Sequence, residues 1–174
     1  MSVSTDLDLL VDTFRLKVER LEAILAREGL PMRLFEARRS FTRSSTLFMQ
    51  GRTYVDGVIK IVDEKKIVTG ARAGSSPHNW GLAVDYVLVT GEHDWWDDEK
   101  PTGPWDTGYT GGKLLRPSVK LAWERYGRSV RQADLTWGGD FPRVDMPHAE
   151  AKGWRALRPA NWQEIALREV KAGR

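Results

Sequence analysis

The 174-residue chain is 41% hydrophobic and 29% charged, with a formal net charge of +3, a balance that supports one compact core and excludes global disorder. Zero cysteines exclude disulfides, thiolate metal sites and a cysteine nucleophile, which leaves imidazole and carboxylate as the available metal ligands. The isoelectric point of about 9.3 is compatible with an acidic polymer such as nucleic acid or cell-wall material, and a net charge this small does not choose between them.

The opening MSVSTDLDLLVDTF has acids where a signal peptide needs a basic region, and no segment is long and apolar enough to span a bilayer. The expectation is a product made in the cytoplasm without integral membrane association. From Thr5 to about Glu28, Leu7, Leu10, Phe14, Val18, Leu21 and Leu25 recur at spacings of three and four. This predicts an amphipathic helix, ended by Gly29 and Pro31. Met32 to Phe35 predicts a short strand, followed by the basic, hydroxyl-rich stretch Arg38 to Arg43 and a helical turn through Leu47, Phe48 and Met49. The β-branched run from Tyr54 to Val68 predicts a hairpin turning near Asp63-Glu64.

A loop from Gly70 to Pro77 leads into a compact turn, His78-Asn79-Trp80-Gly81, and Leu82 to Val89 reads as a central strand. The stretch Gly91 to Gly112, rich in Gly, Pro, Asp and Trp, has the length of a substrate rim or lid, or of an irregular packed excursion. Leu115 to Tyr126 predicts a helix with Pro117 in its first turn and Gly127 after its end. Trp137 starts a glycine-containing strand or loop, and Trp162 to Val170 predicts a last amphipathic helix. The whole chain, residues 1–174, reads as one domain.

The chemistry begins with Asp85, a carboxylate interrupting Leu82-Ala83-Val84-Asp85-Tyr86-Val87-Leu88-Val89. Buried alone it carries a large desolvation cost, which a cation or a full hydrogen-bond network removes. His78, at the mouth of that strand, and His148, in Asp145-Met146-Pro147-His148, are the imidazoles available to share an ion with it. Two nitrogens and one oxygen suit tetrahedral zinc with a fourth position for water, although histidines also serve as packed hydrogen-bonding residues. Asp145 is either a general base beside the ion or a capping or salt-bridging aspartate. Arg39 is a candidate for a substrate carboxylate or a developing oxyanion, and His93 reads as a surface loop residue.

Ser76-Pro77-His78-Asn79-Trp80-Gly81-Leu82-Ala83-Val84-Asp85 resembles the first motif of the zinc D,D-carboxypeptidase and L-alanyl-D-glutamate endopeptidase family, the VanY-like group that includes single-domain phage endolysins. Asp145-Met146-Pro147-His148 resembles its second. Arg38-Arg39-Ser40, Gln50-Gly51-Arg52-Thr53 and Trp137-Gly138-Gly139-Asp140 are similar to further family segments, so that the likeness spans 38–150. Arg38 stands where the family often has an aromatic residue, and Tyr54 to Lys65 reads as an insertion.

The resemblance implies an α+β fold, a small antiparallel sheet with packed helices, of the hedgehog/D,D-peptidase type. It implies Zn2+ on His78, Asp85 and His148, Asp145 as general base, Arg39 as the functional arginine, and Gln50 and Ser76 as orienting residues. The implied substrate is the peptidoglycan stem peptide, cut at the L-alanyl-D-glutamate bond by a monomeric bacteriolytic endolysin that a holin releases to the wall. Cleavage of D-alanyl-D-alanine is the nearest alternative. A noncatalytic nucleic-acid or wall-binding protein using Arg38, Arg39, Arg43 and Arg52 is the alternative of another class, and no complete nucleic-acid motif supports it.

Overall fold

The computed structural model describes residues 3–89, 109–110, 113–114 and 117–173. Helix α1 (Asp12–Arg27) buries Phe14, Val18, Leu21, Ile24 and Leu25, the single apolar stripe that spacings of three and four produce. It starts later than the Thr5 that periodicity predicts. The chain first makes a 3-10 turn at Leu7–Leu9, where the Asp6 carboxylate accepts from the amide of Asp8 at 2.9 Å. The Val11 amide donates to Gly81 O at 3.1 Å, so it does not make the helical bond to Leu7, and the helix entry is tied to the turn that carries His78. At the far end the amides of Gly29 and Leu30 donate to the carbonyls of Ala26 and Leu25, a Schellman closure.

Strand β1 (Met32–Glu36) leads to α2 (Phe41–Met49), capped by the Ser40 hydroxyl accepting from the Arg43 amide at 3.1 Å. Then come β2 (Arg52–Val55) and β3 (Val58–Ile61), followed by β4 (Ala83–Leu88) and the small pair β5 (Tyr109–Thr110) and β6 (Lys113–Leu114). Helix α3 (Pro117–Gln132), β7 (Thr136–Trp137), β8 (His148–Glu150), α4 (Trp154–Leu157) and α5 (Trp162–Lys171) complete the order. The main sheet runs β1-β4-β8-β7, antiparallel throughout. This is the small antiparallel sheet with packed helices expected of an α+β chain.

Every residue of β4 is buried, and the two faces of that strand do different jobs. Val84, Tyr86 and Leu88 join Phe14 and Leu21 of α1 and Trp123 and Tyr126 of α3 in one core, and the Tyr86 hydroxyl donates to Glu22 of α1 at 3.2 Å. Because successive residues alternate, Asp85 faces the other side. Directly across from it in the neighbouring strands lie Glu36 of β1 and His148 of β8. Glu36 reaches that row only through a bulge. The register pairs Leu34 with Tyr86 and then Glu36 with Asp85, so one extra residue turns Glu36 from the helix side to the Asp85 side.

Two sequence expectations need correcting here. The hairpin in the Tyr54–Val68 run turns at Asp56-Gly57, not near Asp63-Glu64, and both turn residues have positive φ, 52° and 77°. Asp-Gly supplies this two-residue turn at little steric cost, while Asp63 instead caps a 3-10 turn at Glu64–Lys66. Helix α3 does not stop before Gly127 but runs five residues past it. A Cβ at that position would lie 2.3 Å from the Trp137 ring, so the glycine lets the helix touch β7 instead of ending it. Apart from Tyr109 and Thr110, the Gly91–Gly112 stretch, His93 included, lies outside the described residues.

Candidate metal centre and catalytic cleft

His78 sits in a 3-10 turn, Pro77–Trp80, which is stitched to the segment after β1. The Arg39 amide donates to His78 O at 3.1 Å. Asn79, fully buried, donates through Nδ2 to Arg39 O at 3.0 Å and to the Ser44 hydroxyl at 2.8 Å, and accepts from the Gly74 amide at 2.9 Å. The side chain of His78 itself donates from Nδ1 to Ala37 O at 2.8 Å. These bonds fix the ring so that Nε2 faces the sheet row.

There three donor atoms meet. His78 Nε2 is 3.2 Å from His148 Nδ1 and 3.3 Å from Asp85 Oδ1, and His148 Nδ1 is 3.1 Å from that same oxygen. His148 uses its other nitrogen, Nε2, on Glu150 Oε2 at 3.1 Å. With Nδ1–H of His78 given to a carbonyl and Nε2–H of His148 to a carboxylate, the remaining ring nitrogens point lone pairs at each other and at Asp85. Such an arrangement is repulsive unless a cation or a proton lies between them. Neighbouring donors around tetrahedral zinc, with bonds of about 2.0–2.2 Å, stand roughly 3.3–3.5 Å apart, so the observed triangle fits a metal ion with only a few tenths of an ångström of adjustment.

The electrostatics agree. Burial alone opposes the Asp85 carboxylate, but the charge of His78 and the hydrogen bonds from both histidines outweigh it and hold the carboxyl well below its usual range. Burial likewise pulls His148 down, and the bonds to Asp85 and Glu150, with the charges of Asp85 and Asp145, push it up to about 10.

Asp145 stands at the edge of the same cleft, a cavity of about 820 Å³ whose wall includes His78, Asp85, His148, Asp145 and Ser76. Its amide donates to Gly138 O at 2.9 Å and its carbonyl accepts from the His148 amide at 3.1 Å. A Cβ at Gly138 would come within 2.3 Å of Asp145 O and 2.9 Å of His148 Cβ, so a glycine is required for this close wrap. Among the described residues the Asp145 carboxylate caps no helix and forms no ion pair. Burial, then the charge of Asp85, raises its pKa, and His148, His78 and Arg39 pull it back.

Arg39 lines the same cleft. Its guanidinium donates through Nε to Glu36 Oε2 at 2.8 Å and through Nη2 to the same carboxylate, and Nη2 also lies 3.4 Å from Asp85 Oδ2. Glu36 is 1% exposed and takes Arg43 Nε on its other oxygen at 2.7 Å. Arg39 thus shares the Glu36 carboxylate with Arg43, and it braces Asp85. Ser76 lines the cleft, buried. Gln50 does not: it is exposed at the end of α2, outside the cleft.

Glu36 and Glu150 are the site carboxylates that the sequence reading missed. Glu150 carried a usable signal, since two residues after His148 in a strand means the same face. Glu36 carried none, because only the bulge brings it round.

A family model described as D-alanyl-D-alanine carboxypeptidase matches residues 69–151, a span that holds His78, Asp85, Asp145 and His148. Over 153 residues, 86% of this chain and 76% of the other, the sequence is 32% identical to the peptidoglycan L-alanyl-D-glutamate endopeptidase CwlK of Bacillus subtilis (strain 168). The chain belongs to the M15 peptidases. Among solved structures, that of the L-Ala D-Glu endopeptidase ChiX of Serratia marcescens aligns over 87% of this chain and 86% of that one, with a TM-score of 0.46 and 18% identity. As an M15 peptidase the chain has a polar cluster able to bind a metal, His78, Asp85 and His148, with the donor atoms within 4.8 Å of one another.

Proposed function

We propose that this M15 peptidase is a zinc enzyme that hydrolyses the L-alanyl-D-glutamate bond of peptidoglycan stem peptides, with a bacteriolytic role. The observation that carries the metal assignment is the triangle of His78 Nε2, Asp85 Oδ1 and His148 Nδ1, each ring fixed from behind by a second acceptor. The 32% identity to CwlK favours the bond, and the resemblance of the motifs Ser76 to Asp85 and Asp145 to His148 to those of single-domain phage endolysins favours the lytic role. The description of the matching family model favours a second reading, removal of a terminal D-alanine.

Zinc held by these three side chains supplies a Lewis acid that lowers the pKa of water from about 15.7 toward 7 and polarises the scissile carbonyl. Asp145 takes a proton from the attacking water as its oxygen bonds to the carbonyl carbon. It then delivers that proton to the leaving amine as the C–N bond breaks. Its raised pKa suits both halves of that transfer. Arg39 keeps Asp85 oriented and charged, and Nη1 of its guanidinium, unused by Glu36 or Asp85, faces no partner among the described residues. Arg43 and Arg52, offered in sequence as a nucleic-acid surface, are engaged elsewhere, on Glu36 and on the carbonyls of Phe48 and Thr69.

Defined peptidoglycan digested with zinc-loaded and with chelated protein, and read by mass spectrometry, tests the reading. A new D-glutamate amine appearing only with metal supports it, and release of D-alanine instead selects the carboxypeptidase. Asp145→Asn retains zinc but loses at least about 100-fold in turnover, and a folded variant with normal turnover removes Asp145 from the mechanism.

A further inference from the structure

The cleft is lined by three arginines, Arg39, Arg43 and Arg155, and they are not equivalent. Arg39 and Arg43 are both bound to the buried Glu36 and share its one carboxylate, so an N–H edge of each is engaged before any substrate arrives. Arg155, on α4, is exposed, and among the described residues it has no carboxylate partner. Its one neighbour of note is the Trp154 ring, 4.9 Å from the guanidinium carbon, and Trp154 is itself buried and shares the cleft wall. Arg158 approaches the same ring at 5.4 Å and that of Trp162 at 4.1 Å, which holds the platform in place.

An arginine whose planar face lies on an aromatic ring is partly pre-ordered and keeps its N–H edges for a carboxylate, which they grip in a two-pronged fashion. The acids of the cleft do not occupy it: Glu36 is committed to Arg39 and Arg43, Asp85 to the histidines and Glu150 to His148, and Asp145 makes no ion pair with it. Arg155 also follows β8 within five residues of Glu150, on the segment that carries His148 and leads out of the site.

We infer that Arg155, and not Arg39, binds the free carboxylate of the D-glutamate residue on the leaving-group side of the scissile bond. A glutamate inside a peptide chain uses one carboxyl for the linkage and retains the other, so a substrate cut at its amino side brings an anion into a cleft where, of the three arginines, Arg155 alone has no carboxylate partner among the described residues. Arg155 is a specificity-determining residue in this account, and the account rests on the L-alanyl-D-glutamate reading above.

The test compares two synthetic stem peptides that differ only in whether that D-glutamate carboxylate is free or converted to a carboxamide, with zinc-loaded wild type, Arg155→Gln and Arg155→Lys. Glutamine removes the charge and retains a flat polar group over Trp154, and thermal melting checks that each variant is folded. The expected result is that wild type prefers the acid by about tenfold or more in kcat/KM, mainly through KM, that the ratio in Arg155→Gln falls to about one, and that lysine restores part of it. An Arg155→Gln enzyme that keeps the wild-type preference overturns the inference while leaving the proposed function intact. A third peptide, amidated only at its C-terminus, controls for the other carboxylate, and an Arg155 effect confined to it also overturns the assignment. Wild type cutting none of the peptides between alanine and glutamate defeats the proposed function itself.

Discussion

His148 is held at both ring nitrogens, by Asp85 at Nδ1 and by Glu150 at Nε2, each at 3.1 Å. A carboxylate behind a ligating imidazole selects the tautomer and makes the metal-facing nitrogen a better donor, and loss of such a partner weakens metal binding by about 10–100-fold. Glu150→Gln is therefore expected to lower zinc affinity by that factor, measured by competition with a chromophoric chelator, while circular dichroism and melting remain near wild type. Unchanged affinity in the folded variant removes Glu150 from the metal site. Glu36 differs in kind. Among the described residues its side chain makes no hydrogen bond to a histidine; it holds Arg39 and Arg43, and through Arg39 it steadies Asp85. At this scale the sequence made His78, Asp85, Asp145 and His148 legible, because an acid in an apolar strand and histidines in short polar motifs are local anomalies. The supporting acids were harder to read, since what makes them important is which neighbour they face.

Helix α3 shows how an element is shaped by what it packs on. Helix propensity favours alanine over glycine by about 1 kcal/mol at an interior position, and read alone Gly127 marks an end. In the fold a Cβ there would lie 2.3 Å from Cε3 of Trp137, a ring whose Nε1 donates to Met146 O at 2.8 Å and which is thereby fixed beside the Asp145 segment. Gly127→Ala is expected to destabilise the protein by about 1–3 kcal/mol, because overpacking against an anchored ring outweighs the gain in propensity. Urea unfolding measures this, and a variant as stable as wild type shows that the ring can move aside. The β2–β3 hairpin teaches the same lesson for turns: Asp56-Gly57 competes with Asp63-Glu64 as the reversal, and backbone handedness decides it, since only the former gives two residues in the left-handed region.

Across the whole molecule, Asp134 joins three segments. It accepts from Lys17 of α1 at 2.7 Å and from Lys152, between β8 and α4, at 2.5 Å, and it sits just after α3. Hydrogen bonds from Lys152 and Lys17, then their charges, lower its pKa from the ordinary 3.8 to about 2. A carboxylate with a depressed folded-state pKa stabilises above its unfolded value and loses that contribution as pH falls through the folded one. Asp134→Asn, which keeps a residue tolerant of the positive φ of 62°, is expected to melt below wild type at neutral pH, with the gap closing between about pH 4 and pH 2. Because the pair is exposed, high salt should narrow the gap as well, and a gap independent of pH shows that the lysines contribute nothing. What the sequence determined by itself was the local part: the amphipathic stripe of α1, a buried strand broken by one carboxylate, and two motifs whose residue types admit a metal. Tertiary structure alone decided the rest, because register is a property of strand pairs. A single bulge sets Glu36 beside Asp85, antiparallel pairing sets His148 on the other side, and only in the folded sheet do Arg39 and Arg43 come to share the Glu36 carboxylate while Arg155 has no carboxylate partner among the described residues.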